Sequence, residues 1–145
     1  MKRKLMALGA VAALSLGLAA CSGGGGVGGG EEGKVADRFE QFFDGLIAGD
    51  GEAACDVMLV DAETPMKDDA TTYDLCTTTY DGMGDMFKDA MEEAGVEKIE
   101  VTKVVIDGDS ATVTAKGAGA LGGEESLTMT KVNGDWYLGE ESFAG

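Results

Sequence analysis

Three cysteines, 27 carboxylates and no histidine bound the chemistry open to these 145 residues. Cys21, Cys55 and Cys76 show no CxxC spacing. A zinc site or a thiol–imidazole nucleophile therefore lacks its second component. Two acidic stretches offer oxygen ligands of the kind calcium takes: Asp107-Gly108-Asp109, and the loop holding Asp61, Glu63, Asp68 and Asp69. Neither follows the D-x-[DN]-x-[DN]-G spacing of a calcium loop, and Asp-Gly is already explained as a hairpin turn. No metal ligand is assigned. Tyr80 carries a hydroxyl that could donate to a developing oxyanion. A tyrosine on an amphipathic stripe is more often core with its hydroxyl at the rim. No acid–base partner can be placed beside it, since most carboxylates fall on polar faces or in loops. No catalytic residue and no cofactor is assigned.

Cys21 has a different use. Lys2, Arg3 and Lys4 precede an uncharged run from Leu5 to Leu18, and Leu18-Ala19-Ala20 leads directly into Cys21. The run is too short for a spanning helix, and small residues before a cut mark a signal peptide. An ordinary secretory signal cut near Ala20 would leave Cys21 incidental. Leu18-Ala19-Ala20-Cys21, however, resembles the lipobox of bacterial lipoproteins. That resemblance implies residues 1–20 as signal peptide, lipidation of Cys21, and anchoring to the extracytoplasmic face of the cell membrane. It also leaves Cys55 and Cys76 as an even pair in an oxidising compartment, where a disulfide is expected and buried free thiols are the alternative.

Charge narrows the partners. The chain has net charge −16, and loss of Lys2, Arg3 and Lys4 with the signal leaves eight basic residues against 27 acidic ones. A surface this acidic repels nucleic acid and anionic headgroups. Contact with the membrane is expected only through the lipid on Cys21.

The elements that must position these residues follow from hydrophobic spacing. Ser22 to Gly33 is eight-twelfths glycine and reads, with Cys21, as a lipidated tether (21–33) of root-mean-square span about 17–20 Å. From Lys34 the pattern turns helical: Val35, Phe39, Phe42, Phe43, Leu46 and Ile47 form one stripe, ended by Gly49-Asp50-Gly51. A short second helix buries Ala54, Cys55, Met58 and Leu59. Val60 to Thr71, with the only proline, reads as a loop. A third helix spans about 72–94, with Cys76, Tyr80, Met83, Phe87, Ala90, Met91 and Ala94 as its stripe; Gly82 and Gly84 predict a kink or break. Period-two alternation then gives four strands: 98–106, 111–115, 126–132 and 135–143. Asn133-Gly134 is a two-residue hairpin signal. Helices first and an antiparallel meander second predict one α+β domain over 34–145, its sheet packed on the helices.

This order resembles the cystatin-like cone of the nuclear transport factor 2-like superfamily, and in particular its small actinobacterial-type lipoproteins. The residues that carry the likeness are Val35–Ile47 running into Gly-Asp-Gly, Ala53-Ala54-Cys55, Cys76, and Val132-Asn133-Gly134-Asp135-Trp136-Tyr137-Leu138. The resemblance implies a cone with a pocket, for which Phe39, Phe43, Tyr80, Met83 and Trp136 are the expected lining. Four strands are fewer than larger members have. Two functions fit: a non-catalytic module binding a small apolar ligand or an envelope protein, or an isomerase- or dehydratase-type enzyme with a polar group buried in the cone. Met58, Met83, Met86, Met91 and Met129 suit an adaptable apolar interior.

Overall fold

The computed structural model describes residues 28–119, 122–139 and 142. The expected signal peptide, Cys21 and residues 22–27 of the expected tether lie outside the described residues. Four α-helices precede four strands: α1 Glu31–Ala48, α2 Gly51–Cys55, α3 Ala70–Asp81, α4 Gly84–Glu93, β1 Glu100–Asp107, β2 Ser110–Lys116, β3 Glu124–Val132 and β4 Asp135–Leu138. The sheet is an antiparallel meander in the order β1-β2-β3-β4. The chain is thus the α+β class that its periodicities predict.

Helix α1 begins at Glu31, inside the stretch read as tether, because Glu31 is not merely a solvating charge. It accepts hydrogen bonds from Trp136 Nε1, at 2.9 Å, and from Lys131 Nζ. This pins the first turn of the helix to the β3–β4 hairpin. The stripe Val35, Phe39, Phe42 and Leu46 then lies buried against the sheet. Arg38, on the flank, donates from Nε to the Trp136 carbonyl and from Nη2 to the Asp56 carbonyl, with its guanidinium over the Tyr137 ring. One side chain thereby ties α1, the end of α2 and β4 together.

The Gly-Asp-Gly corner does more than stop α1. Gly49 caps it in the left-handed conformation, φ 68°. A Cβ on Gly51 would overlap the Thr77 carbonyl oxygen of α3, and one on Gly84 would lie 2.7 Å from Gly49 N. Backbone therefore packs on backbone where α1 and α2 meet α3 and α4. Gly51 N–H also donates to Asp81 Oδ1 at 2.7 Å. The expected third helix is two helices, broken at Gly82-Met83, as its glycines suggest. Cys55 and Cys76 form the disulfide between α2 and α3, with Cα atoms 6.1 Å apart.

Residues 60–71 are more ordered than a loop reading implies. Leu59 bridges Pro65, a 3₁₀ turn spans Met66–Asp68, and Asp69 caps α3 by accepting from Thr72 N. Just ahead of it, Met58 pairs in parallel with Leu138, so β4 is covered on its outer side. That explains why Trp136, Tyr137 and Leu138 are all buried. The strand ends at Leu138, earlier than the alternation to Phe143 suggests.

In β1 the register shifts between Val101 and Lys103. The extra residue, Thr102, resets the alternation, so that Val101 and Val104 both face the core. A strict period of two puts these valines on opposite faces. Asn133 and Gly134 take φ 52° and 92°, as the hairpin signal requires. The buried hydrophobic cluster runs from Val35 to Leu138, drawing on all four strands together with α1 and α2.

Candidate functional site

At the end of α1 remote from Glu31, an apolar cleft opens between the helices and the β2–β3 side of the sheet. A cavity of about 430 Å³ is walled by Phe42, Phe43 and Leu46 of α1, Tyr80 of α3, Met83 at the break, Phe87 of α4, and Ala118, Glu125, Leu127 and Ser142 opposite. A second, of about 230 Å³, lies along Ile47, Ala90, Met91, Ala94, Val96, Ile99 and the glycine-rich turn after β2. The two share Phe43, Phe87 and Ala118 and adjoin there. The larger of the two volumes falls in the usual range for small-molecule sites, and the smaller extends it.

Local sequence explains the walls. The 3.6-residue period of α1 gives it two apolar rows: one row is buried on the sheet, while Phe43 and Ile47, beside it, are only half-buried. The α3–α4 break displaces Met83 and Phe87 from the core and lets them form a rim. Edge-to-face rings stiffen the wall. Phe42 stands nearly perpendicular to Tyr80, centroids 6.1 Å apart, and to Phe43 at 5.2 Å. Burial raises the Tyr80 phenol above its usual pKa, so the hydroxyl stays protonated through the neutral range.

Phe43, Tyr80 and Met83 line the cleft. Phe39 and Trp136 do not; they are 0% and 1% exposed and belong to the core. Phe39 sits one turn behind Phe43, ring centroids 4.9 Å apart, and supports it from below. Trp136 lies at the other end of α1, where Glu31 engages its indole N–H. Of the interior methionines, Met58 and Met129 are core and Met83 and Met91 line the cleft, whereas Met86 is 57% exposed.

Sequence reading missed Phe42, Leu46, Phe87, Ala118 and Leu127 as lining residues and, with the most consequence, the charged Glu125. It pairs with Ala115 and shares the inward phase of β3 with Leu127 and Met129. Starting that strand at Ser126 hides it; carrying the alternation one residue back reveals a carboxylate in an apolar row. The connection supplying Ala118 has no periodic signal at all.

The other candidate sites hold structural groups. Asp61 Oδ1 accepts from Glu63 N and Thr64 N, both at 2.9 Å, which lowers its pKa and closes the turn. Asp69 is a helix cap. Asp107-Gly108-Asp109 is the β1–β2 turn, with the Asp109 carbonyl accepting from Lys131 N. Tyr73 donates to Asp56 Oδ1 at 2.9 Å, and burial followed by that bond pushes its pKa up to about 12. Glu40 is raised by burial and by Asp37 and Asp44 along α1. Among the described residues no group of three or more carboxylates or cysteines is placed to hold a metal ion. No described helix is long and apolar enough to cross a membrane.

No protein-family model matches the chain, and no curated protein matches it in sequence. A Campylobacter jejuni chain, described as an NTF2-like transpeptidase and solved by crystallography, is similar in structure with a TM-score of 0.48 and 15% identity. The alignment covers 71% of this chain and 94% of that one. The α+β class stands on this chain's own helices and meander.

Proposed function

We propose that this protein is a lipid-anchored extracytoplasmic module whose cleft binds a small apolar ligand. The observation that carries the ligand reading is the cleft itself: two adjoining cavities walled by Phe42, Phe43, Tyr80, Met83, Phe87 and Met91. Apolar surface left open in this way is stabilised when a ligand removes it from water, at about 25 cal/mol per Å². The lipobox supports the anchor. An isomerase- or dehydratase-type reaction would need a carboxylate buried beside Tyr80; the one lining the cleft, Glu125, is solvent-exposed.

Ala118 is the residue through which to test the ligand reading, since it belongs to both cavities. Soluble protein beginning at Ser22 is titrated with an environment-sensitive apolar dye, and the sole tryptophan, Trp136, serves as energy donor. Saturable binding is expected, and Ala118→Phe should weaken it about tenfold or more at unchanged circular dichroism. Ala94→Phe, from the other wall, provides a second filling variant that keeps Trp136 as sole donor. Equal dye binding by folded filled variants and wild type would sink the reading.

A further inference from the structure

Glu125 gives the cleft a sign. The carboxylate stands at an inward position of β3, in line with Leu127 and Met129 and across from Ala115, where the strand pattern calls for an apolar side chain. It forms no hydrogen bond or ion pair with another described residue, and it is the one charged side chain lining either cavity among the described residues. Aromatic rings from Phe42, Phe43, Tyr80 and Phe87 line the same cavity. A carboxylate beside aromatic rings is a setting that attracts cations, because ring faces carry partial negative charge. The chain's net charge of −16 adds a long-range field of the same sense. A carboxylate or phosphate headgroup would meet repulsion from both.

We infer that the cleft selects an amphipathic ligand with an apolar body and a protonated amine head, the head held by Glu125 at the mouth. This rests on the ligand-binding reading above and adds the head group to it. The apolar body enters between α1, α4 and the sheet, displacing water from Phe43, Phe87 and Ala118. The ammonium stays at the rim, where it keeps part of its hydration and gains a charged hydrogen bond. A head drawn deeper would lose hydration without a counter-charge, which fixes the orientation of the ligand in the cleft.

The test compares three probes that share one chain and differ only in the head: decylamine, decanol and decanoate. Each competes against the apolar dye below its micelle concentration, on the protein beginning at Ser22, whose buried cluster lies wholly within 35–138. Wild type should prefer the amine to the alcohol by about tenfold, the scale expected of a charge-assisted bond, and bind decanoate weakest. Glu125→Gln should bring the amine to the level of the alcohol. Glu124→Gln removes the same charge from the opposite face of β3 and should keep the preference. Retention of the amine preference in Glu125→Gln overturns the inference, as does an equal loss in Glu124→Gln, which would assign it to the general field. Equal binding of all three probes by wild type overturns the head-group inference and leaves the cleft as a purely apolar site. Failure of all three to displace the dye overturns the ligand reading itself.

Discussion

Reducing the Cys55–Cys76 bond is the most direct perturbation of the scaffold that holds the cleft. The bond closes a sequence separation of 21 residues. On the chain-entropy model, opening a loop of that size frees about 11 cal/mol/K of unfolded-state entropy, or about 3.4 kcal/mol at 25 °C. A domain of this size unfolds with about 0.23 kcal/mol/K of entropy, so the melting temperature should fall by about 15 °C. The native fold should survive, because Cys55 is wholly buried among apolar neighbours that suit a thiol, and half-buried Cys76 has room to turn its thiol to non-bonded distance. The Gly51–Asp81 hydrogen bond also continues to join α2 to α3. Thermal and urea unfolding of oxidised and reduced protein, with circular dichroism as readout, measure the difference. A larger m-value on reduction should accompany it, since the freed loop expands the denatured chain. Alkylation under denaturing conditions comes first: two adducts without reductant would remove the bond altogether. A melting temperature that moves by less than about 3 °C would refute the entropic reasoning instead, because the loop would then be confined in the denatured ensemble by other means.

Three more outcomes follow from named contacts. Glu31 is held at a pKa of about 2, against an ordinary 4.5, first by Lys131 and then by Trp136. Its contribution is therefore present above pH 4.5 and lost as pH falls toward 2, so wild type should lose stability through that window more steeply than Glu31→Gln. Parallel acid curves would refute the role. Gly51→Ala should destabilise by about 2 kcal/mol in urea, as overpacking against the Thr77 carbonyl forces α2 from α3; an unmoved midpoint would contradict the backbone packing. Cys21→Ser should shift the exported protein out of the membrane fraction, and retention there after a high-salt wash would count against the lipid anchor.

Much of the fold is legible because its signals are local. The α1 stripe, the Asn133-Gly134 turn and the meander each follow from side-chain spacing within one element, and the α3–α4 break follows from Gly82 and Gly84. Where spacing misled, a distant partner had intervened. Glu31 looked like tether because its reason to be helical, the indole of Trp136, is 105 residues away. Alternation gives Trp136 a face of β4 but not the position along α1 that it meets, which is the Glu31 end and not the cleft. The Thr102 bulge inverted β1 after Val101, and no local residue announces a bulge of that kind.

Sequence by itself determined the α+β class, the cysteine pair that could join and the absence of histidine chemistry, since these depend on residue type and period alone. Tertiary structure decided which apolar residues close into core and which stay open as a cleft. That choice depends on how far helices of given length cover a sheet of given size. Phe39 and Phe43 occupy one stripe, four residues apart, yet the first is sealed in the core and the second is half-buried at the wall of the cleft. Glu125 became a site residue for the same reason: its inward phase is a property of β3, but its meeting with Tyr80 and Phe43 belongs to the fold.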